Sequence, residues 1–280
     1  MHRTVTGHRD IQSTGNGGDN GADDAPVVVA AKVRIPTVAP TVLVRQRLHA
    51  LVDAAVTGPP DSPLVTVLRA PAGAGKTTML ATWARHRIDR GKSGVAWVSL
   101  DTEDDDPVRL WSAIVRSLQL GGPWGADGPL DGLTPPPAGR PYAAFVAAVL
   151  APIDGLSAPL VLVLDGAHEV SSEQSVHTLD IMLRHLPPAL RVVLSARFAP
   201  PLILPRLKLE GRLREIDPDQ LTFTTDEAGA LYANEGFHLT EAELRLLMER
   251  TEGWAAGLRL AAISLADACL LYTSPSPRDS

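Results

Sequence analysis

Residues Ala70 to Thr78 read Ala-Pro-Ala-Gly-Ala-Gly-Lys-Thr-Thr, and no other stretch constrains the fold as strongly. An apolar run, Pro63-Leu-Val-Thr-Val-Leu-Arg69, precedes it, and a helix-prone run, Met79-Leu-Ala-Thr-Trp-Ala-Arg85, follows. Strand, small-residue turn, Lys-Thr and helix is the layout of a phosphate-cradling P-loop, written Gly-x-x-x-x-Gly-Lys-[Ser/Thr]. Gly75, Lys76 and Thr77 match that pattern, and Ala70 stands in place of its first glycine. Gly73, Ala74 and Gly75 carry almost no side chain, so backbone N–H groups can converge on an anion. The helix that starts near Lys76 aims its free N–H groups and positive dipole end the same way. Lys76 adds a full charge for the outer phosphates, and the Thr77 hydroxyl can ligate Mg²⁺. The expected nucleotide contacts are therefore Ala70, Pro71, Ala72, Gly73, Ala74, Gly75, Lys76, Thr77 and Thr78. A glycine-rich turn with an incidental Lys-Thr is the plainer alternative, and the correct flanks on both sides argue against it.

A second landmark is Pro159-Leu-Val-Leu-Val-Leu-Asp165. An apolar run ending in an acid places Asp165 at the C-terminal end of a buried parallel strand, where open α/β sheets bind ligands. With a P-loop upstream, Asp165 reads as the Walker-B acid that holds Mg²⁺ together with Thr77. The next residue is Gly166, so a second acid that could orient an attacking water is missing there. His168 and Glu169 read as a packed histidine and a solvated acid. A further buried strand, Leu190-Arg-Val-Val-Leu-Ser-Ala-Arg197, puts Arg197 at a strand end, either as a γ-phosphate sensor or as a surface arginine; spacing does not choose. Arg45 and Arg47, at the entry of an amphipathic helix through Leu48, Leu51, Val52 and Ala55, read as contacts to a base or a neighbouring domain, or as solvated surface. Spacing alone favours the surface.

The expected fold class is α/β, a P-loop NTPase core with a parallel sheet followed by a small helical subdomain. Residues 1–26 are polar and rich in Gly, Asn and Asp, and form an expected disordered leader. The core spans 27–218. Within it, Asp106 and Pro107 mark the N-cap and first residue of a helix. Asp104 and Asp105 are expected to be solvated, while Asp101 keeps some prospect of facing the site. The Gly/Pro-rich segment 121–141 reads as an exposed insertion. From 219 to 268 the pattern changes to short helices, two of them opened by the capping boxes Thr224-x-x-Glu227 and Thr240-x-x-Glu243. Leu246, Leu247, Trp254, Leu258 and Leu260 are expected in its core. Residues 269–280 resemble the in-frame translation of a sequencing adapter and are expected to be artefactual, with the single cysteine, Cys269, among them.

Apolar residues make up 45% of the chain, enough for a substantial core, and one cysteine excludes a disulfide framework. A net charge of −6 argues against nucleic-acid binding through the general surface. No apolar run approaches the roughly 20 residues that span a bilayer, and the N-terminus has no signal-peptide core; both favour the cytoplasm.

Three segments together carry a family resemblance: the 70–78 loop with Trp83, Val95-Ala-Trp-Val-Ser-Leu-Asp101 with Asp106-Pro107, and Gly253-Trp-Ala-Ala-Gly-Leu-Arg-Leu-Ala261. The arm ending Leu43-Val-Arg-Gln-Arg-Leu48 and Leu221-Thr-Phe-Thr224 fit as well. From about Arg34 to Ala266 the chain resembles the N-terminal ATPase region of the large LuxR-type transcriptional regulators, the group of the maltose-regulon activator within the STAND class. The resemblance implies ATP or ADP with Mg²⁺, nucleotide-controlled homo-oligomerisation, and a small-molecule inducer and promoter DNA bound by regions that this chain lacks. By position it makes Lys76, Asp165 and Arg197 the catalytic set and puts Arg45 near the base. Gly166 departs from the family's Asp-Asp pair, which leaves binding intact and makes slow hydrolysis the expectation. A stand-alone P-loop ATPase or kinase, and the sensor portion of a regulatory protein kinase, remain the alternatives.

Overall fold

The computed structural model describes residues 28–59, 62–92, 94–124 and 127–273, with side chains to residue 267. The leader expected at 1–26 lies outside the described residues, as do the side chains of the expected artefactual tail.

Five parallel strands form the sheet: β1 (Val65–Arg69), β2 (Val95–Ser99), β3 (Leu160–Asp165), β4 (Leu190–Ala196) and β5 (Leu213–Ile216), in the order β2-β3-β4-β1-β5. Strands buried on both faces read as unbroken apolar runs, and every residue of β3 and β4 is buried. The strand period of two then sorts side chains to opposite layers. Leu160, Leu162 and Leu164 face one apolar cluster, and Val161 and Val163 face the other. The first layer holds α3 (Pro107–Gly121), α4 (Ala143–Asp154), α5 (Glu173–Arg184) and α6 (Leu204–Leu209); the second holds α1 (Gln46–Val56) and α2 (Lys76–Asp89). The expected α/β class, with a parallel sheet and a helical portion after it, is the fold observed.

That portion comprises α7 (Pro218–Leu221), α8 (Thr225–Asn234), α9 (Glu241–Thr251) and α10 (Ala255–Thr273). A separate apolar cluster, centred on Ala228, Leu231, Tyr232, Leu258 and Ala262, holds it together. The Tyr232 hydroxyl donates to the Leu258 carbonyl at 2.9 Å, which satisfies an otherwise buried polar group. Both expected capping boxes form. Asp106 caps α3 by accepting from the Val108 and Arg109 amides, with Pro107 at the first helical position.

Several local expectations fail for physical reasons. Asp104 is buried rather than solvated; it accepts from the Asp101 amide and pairs with Lys32. Asp105 reaches across to accept from the Ser171 and Ser172 amides, tying the 102–105 turn to the start of α5. Asp101 caps that turn and pairs with Lys32 instead of facing the phosphate cavity. The 121–141 segment is anchored: Leu130 is fully buried, and its carbonyl accepts from Gln119. In the helical portion only Leu258 of the expected core residues is fully buried, whereas Leu246, Trp254 and Leu260 are exposed.

Candidate nucleotide-binding site

The loop between β1 and α2 is built as a cradle. The Ala70 amide donates to Ala196 at 3.2 Å and extends the ladder one residue past β1, leaving Ala70 1% exposed. That position needs a small side chain but no left-handed backbone, so alanine serves. Gly73 and Gly75, by contrast, sit at φ +76° and +84°, where a Cβ is disfavoured. Gly75 is the N-cap of α2, and Lys76 opens the helix. The Lys76 ammonium donates to the carbonyls of Ala70 at 2.6 Å and Pro71 at 3.0 Å. The Thr77 hydroxyl donates to Asp165 Oδ2 at 2.7 Å.

These groups line a polar cavity of about 390 Å³ at the C-terminal edge of the sheet, with Ser99, Leu100, Asp165, Gly166, His168, Glu169, Ser195 and Arg197 on its other walls. Burial pulls the Lys76 pKa down; Asp165 opposes that pull, and Arg197 adds to it. An anion would relieve the like-charge repulsion between Lys76 and Arg197, so the field favours one. Arg197 is exposed at the cavity's edge, with no hydrogen-bond or ion-pair partner among the described residues. The donor set suits Mg²⁺. Thr77 and Asp165 offer two hard oxygens side by side, and phosphate and water normally complete such an octahedron. No cluster of three or more metal-ligating side chains occurs among the described residues, so protein groups alone do not form a cage.

Gly166 has a structural cause. Its φ is +90°, and an added Cβ would lie 2.6 Å from the Leu100 carbonyl oxygen. An acid does not fit there without moving Leu100, the residue that follows β2. The turn it opens carries His168 into the cavity wall instead. Neither ring nitrogen of His168 has a hydrogen-bond partner; Nε2 lies 3.3 Å from Glu169 without bonding geometry. Burial holds its pKa below the usual histidine value, and the ring packs edge-on against Phe198. Sequence reading treated His168 as a packed histidine. The signal available was its offset of three residues from Asp165, which a short helical turn converts into a shared wall.

A second cavity of about 400 Å³ adjoins the first, and both are lined by Gly75 and Thr78. Its walls are mainly apolar: Val38, Val42 and Leu43 from the arm before α1, Met79 from α2, and Phe223, Leu231 and Ala255 from the helical portion. Arg45 also lines it, but its guanidinium is committed elsewhere. It pairs with Glu227 at 2.8 Å, donates to the carbonyls of Leu221 and Thr222, and stacks 4.0 Å from the Phe223 ring centroid. Arg45 is thus 6% exposed rather than solvated, and with Arg47 it bolts α1 to the start of α8.

The helical portion also touches the loop directly. The Trp254 indole donates to the Ala72 carbonyl at 3.2 Å, and the Ala256 amide donates to that of Gly73 at 3.0 Å. Six of the nine loop residues, Ala72, Gly73, Gly75, Lys76, Thr77 and Thr78, line these two contiguous cavities with Asp165, Arg197 and Arg45, whereas Ala70, Pro71 and Ala74 line a third cavity beside Trp254. Trp254 and the apolar cavity itself were not legible in advance.

No family model matches the chain. It is 32% identical over 201 residues to the HTH-type transcriptional regulator MalT of Serratia proteamaculans, covering 71% of this chain and 22% of that protein. It is also 32% identical over 202 residues to the serine/threonine-protein kinase PknK of Mycobacterium tuberculosis, covering 71% of this chain and 18% of the kinase. The chain thus spans about a fifth of the length of the curated relatives it matches. Among solved structures, Drosophila ORC bound to DNA has a similar fold, with a TM-score of 0.50 at 12% identity over 96% of this chain and 66% of that one. Among the described residues no helix is long and apolar enough to cross a membrane. The resemblance read from the sequence stands: this chain is similar to one segment of MalT-type transcriptional regulators and of PknK, carried on an α/β P-loop fold.

Proposed function

We propose that this chain is an ATP- and ADP-binding switch module of a longer cytoplasmic regulator, whose nucleotide state controls self-association. The observation that carries the reading is the meeting of the two cavities at Gly75 and Thr78, beneath a helical portion that contacts the loop. The polar cavity has the charge and the N–H cradle for phosphates; the apolar one has the size and lining for a base and ribose. Lys76 would exchange the Ala70 and Pro71 carbonyls for phosphate oxygens. Thr77 and Asp165 would hold Mg²⁺, and Arg197 and His168, on the walls of the same cavity, would lie within reach of the outer phosphates. Bound Mg²⁺ would supply charge neutralisation between phosphates.

The switch follows from where the contacts sit. The core (27–218) supplies the phosphate-binding groups and the helical portion (219–268) closes the base side, so a nucleotide would bridge both. Occupancy that differs by one phosphate favours different packings of the two. Gly166 leaves the site without an acid at the usual place for aligning water, which supports slow turnover. Similarity to both a regulator and a kinase favours a module that serves either output over a stand-alone enzyme. In the regulator setting, an inducer and promoter DNA would bind regions beyond this module. Calorimetry with ATP and ADP, with and without Mg²⁺, tests the reading, together with sedimentation in each state. Micromolar binding and turnover below about one per second are expected. Absent binding, or many turnovers per second, would overturn it.

A further inference from the structure

We infer that Trp254 is a positioning residue for the phosphate-binding loop: through its indole N–H the helical portion sets the direction of the loop's amides. The inference rests on the nucleotide-binding reading and deepens it.

The geometry begins with planarity. A trans peptide unit points its C=O and its N–H in opposite directions, so fixing one fixes the other. The Ala72 carbonyl accepts from Trp254 Nε1 at 3.2 Å, which orients the Gly73 amide. The Gly73 carbonyl accepts from the Ala256 amide at 3.0 Å, which orients the Ala74 amide. Lys76 holds the two preceding carbonyls, Ala70 and Pro71. On binding phosphate, Lys76 would release its pair, and the α10 contacts would remain as the outer support of the loop. A loop rich in Gly and Ala has little side-chain packing of its own to keep its amides convergent, and preorganised donors bind more tightly than donors that must be ordered first.

The sequence around Trp254 is built for this approach. Gly253 adopts φ +71°, and a Cβ there would lie 2.7 Å from the Phe223 carbonyl oxygen. Phe223 donates its amide to the Gly253 carbonyl at 2.9 Å, which pins the turn into α10. At Gly257 a Cβ would meet the indole at 3.2 Å, so the glycine makes room for the ring. At Gly73 a Cβ would come within 2.8 Å of the indole and 2.7 Å of Ala256. Loop and helix therefore require glycine at their meeting surface. Trp254 remains 45% exposed, so it is not held there as core filling.

The test compares wild type with Trp254→Phe, which keeps a ring and loses the N–H, and Trp254→Ala, which loses both. Affinities for Mg²⁺-ATP and Mg²⁺-ADP are measured by calorimetry on the full chain, and thermal unfolding without nucleotide reports the structural role. Trp254→Phe should weaken both nucleotides by a similar factor, roughly three- to tenfold, the range of one hydrogen bond. Its unfolding midpoint should stay at the wild-type value. Trp254→Ala should weaken binding further. A nucleotide-induced change in tryptophan emission is expected in wild type and should shrink in Trp254→Phe although four tryptophans remain of the original five. Wild-type affinity and emission response in Trp254→Phe, with wild type binding normally, overturn this inference alone. No binding by wild type removes the functional reading itself and this inference with it. A loss of affinity matched by a lowered midpoint also overturns it, assigning Trp254 to stability.

Discussion

The two cavities that meet at Gly75 and Thr78 are made in opposite ways. The cavity proposed for the phosphates is polar, comes from strand ends and one tight loop, and is held by short hydrogen bonds such as Thr77 to Asp165 at 2.7 Å. The cavity proposed for the base is apolar and comes from three segments far apart in sequence: the arm before α1, the first two turns of α2, and the chain beyond residue 220. A phosphate constrains chemistry and direction, so few residue types satisfy it. A flat apolar base asks mainly for shape, which many combinations of Val, Leu, Met and Phe provide. The difference teaches that the polar half can anchor a ligand while the composite half is built to report on it, because the helical portion supplies walls of the apolar cavity and, among the described residues, only two hydrogen bonds to the outside of the loop.

The sharpest way to break this division is Lys76→Ala. It removes the loop's only full positive charge, and ATP and ADP affinity should fall about a thousandfold, about 4 kcal/mol. The far-UV dichroism should be unchanged, since Lys76 contributes only two loop hydrogen bonds to the unliganded protein. Calorimetry showing near-wild-type affinity would place the anchor elsewhere.

Arg45→Met addresses the hinge between the halves. It leaves Glu227 without its main partner, and breaking a buried pair from one side costs about 3 kcal/mol. Arg47 still reaches Glu227 at 3.2 Å, which limits the loss. Urea unfolding should show the decrease, and proteolysis should cut first between the core and α8. If stability fell with no change in cutting, the pair would be an ordinary core contact and not the joint between halves.

Val42→Trp tests the base side alone. Val42 lines the apolar cavity from the arm before α1 and is only partly buried, so a larger ring can enter the cavity without disrupting α1. Nucleotide affinity should drop by roughly ten- to thirtyfold, about 2 kcal/mol. Binding of Mg²⁺-tripolyphosphate, which has no base, should be unaffected. Equal losses for both ligands would mean that the cavities do not divide the work as described.

What was legible in the sequence follows the same division. The 70–78 loop and Asp165 announce themselves because phosphate chemistry restricts the residues that serve it. The sheet is legible because buried parallel strands are unbroken apolar runs. The capping boxes at Thr224 and Thr240 are local signals and form as read. Arg45 was not legible, because its partners Leu221, Thr222 and Glu227 lie more than 170 residues away. Trp254 is expected in the core yet is exposed, because burial is a tertiary property and the indole N–H is taken up by the Ala72 carbonyl 182 residues away. Asp104 and Asp105 looked like a solvated acidic run because their partners, Lys32 and the serine pair at 171–172, come from other elements. Gly166 showed only what was missing; its backbone angle and the Leu100 oxygen supply the reason.

The smallest effect concerns His168, which lines the polar cavity while its ring packs edge-on against Phe198. Burial holds its pKa below the ordinary histidine value, with Arg197 and Lys76 pressing in the same direction and Glu169 and Asp165 opposing them. At pH 7 the ring is therefore neutral. A bound phosphate chain adds negative charge beside it and raises its pKa, so binding takes up a proton as pH falls toward and below the usual histidine range. By linkage, affinity for Mg²⁺-ATP should rise on acidification from pH 7.5 to 5.5, by a factor of about two to three after the nucleotide's own protonation is subtracted. His168→Asn supplies the subtraction, since it keeps a polar side chain on the wall and cannot titrate. The difference between the two affinity profiles isolates the histidine. Parallel profiles would show that the His168 ring does not sense the phosphates and belongs to the packing against Phe198.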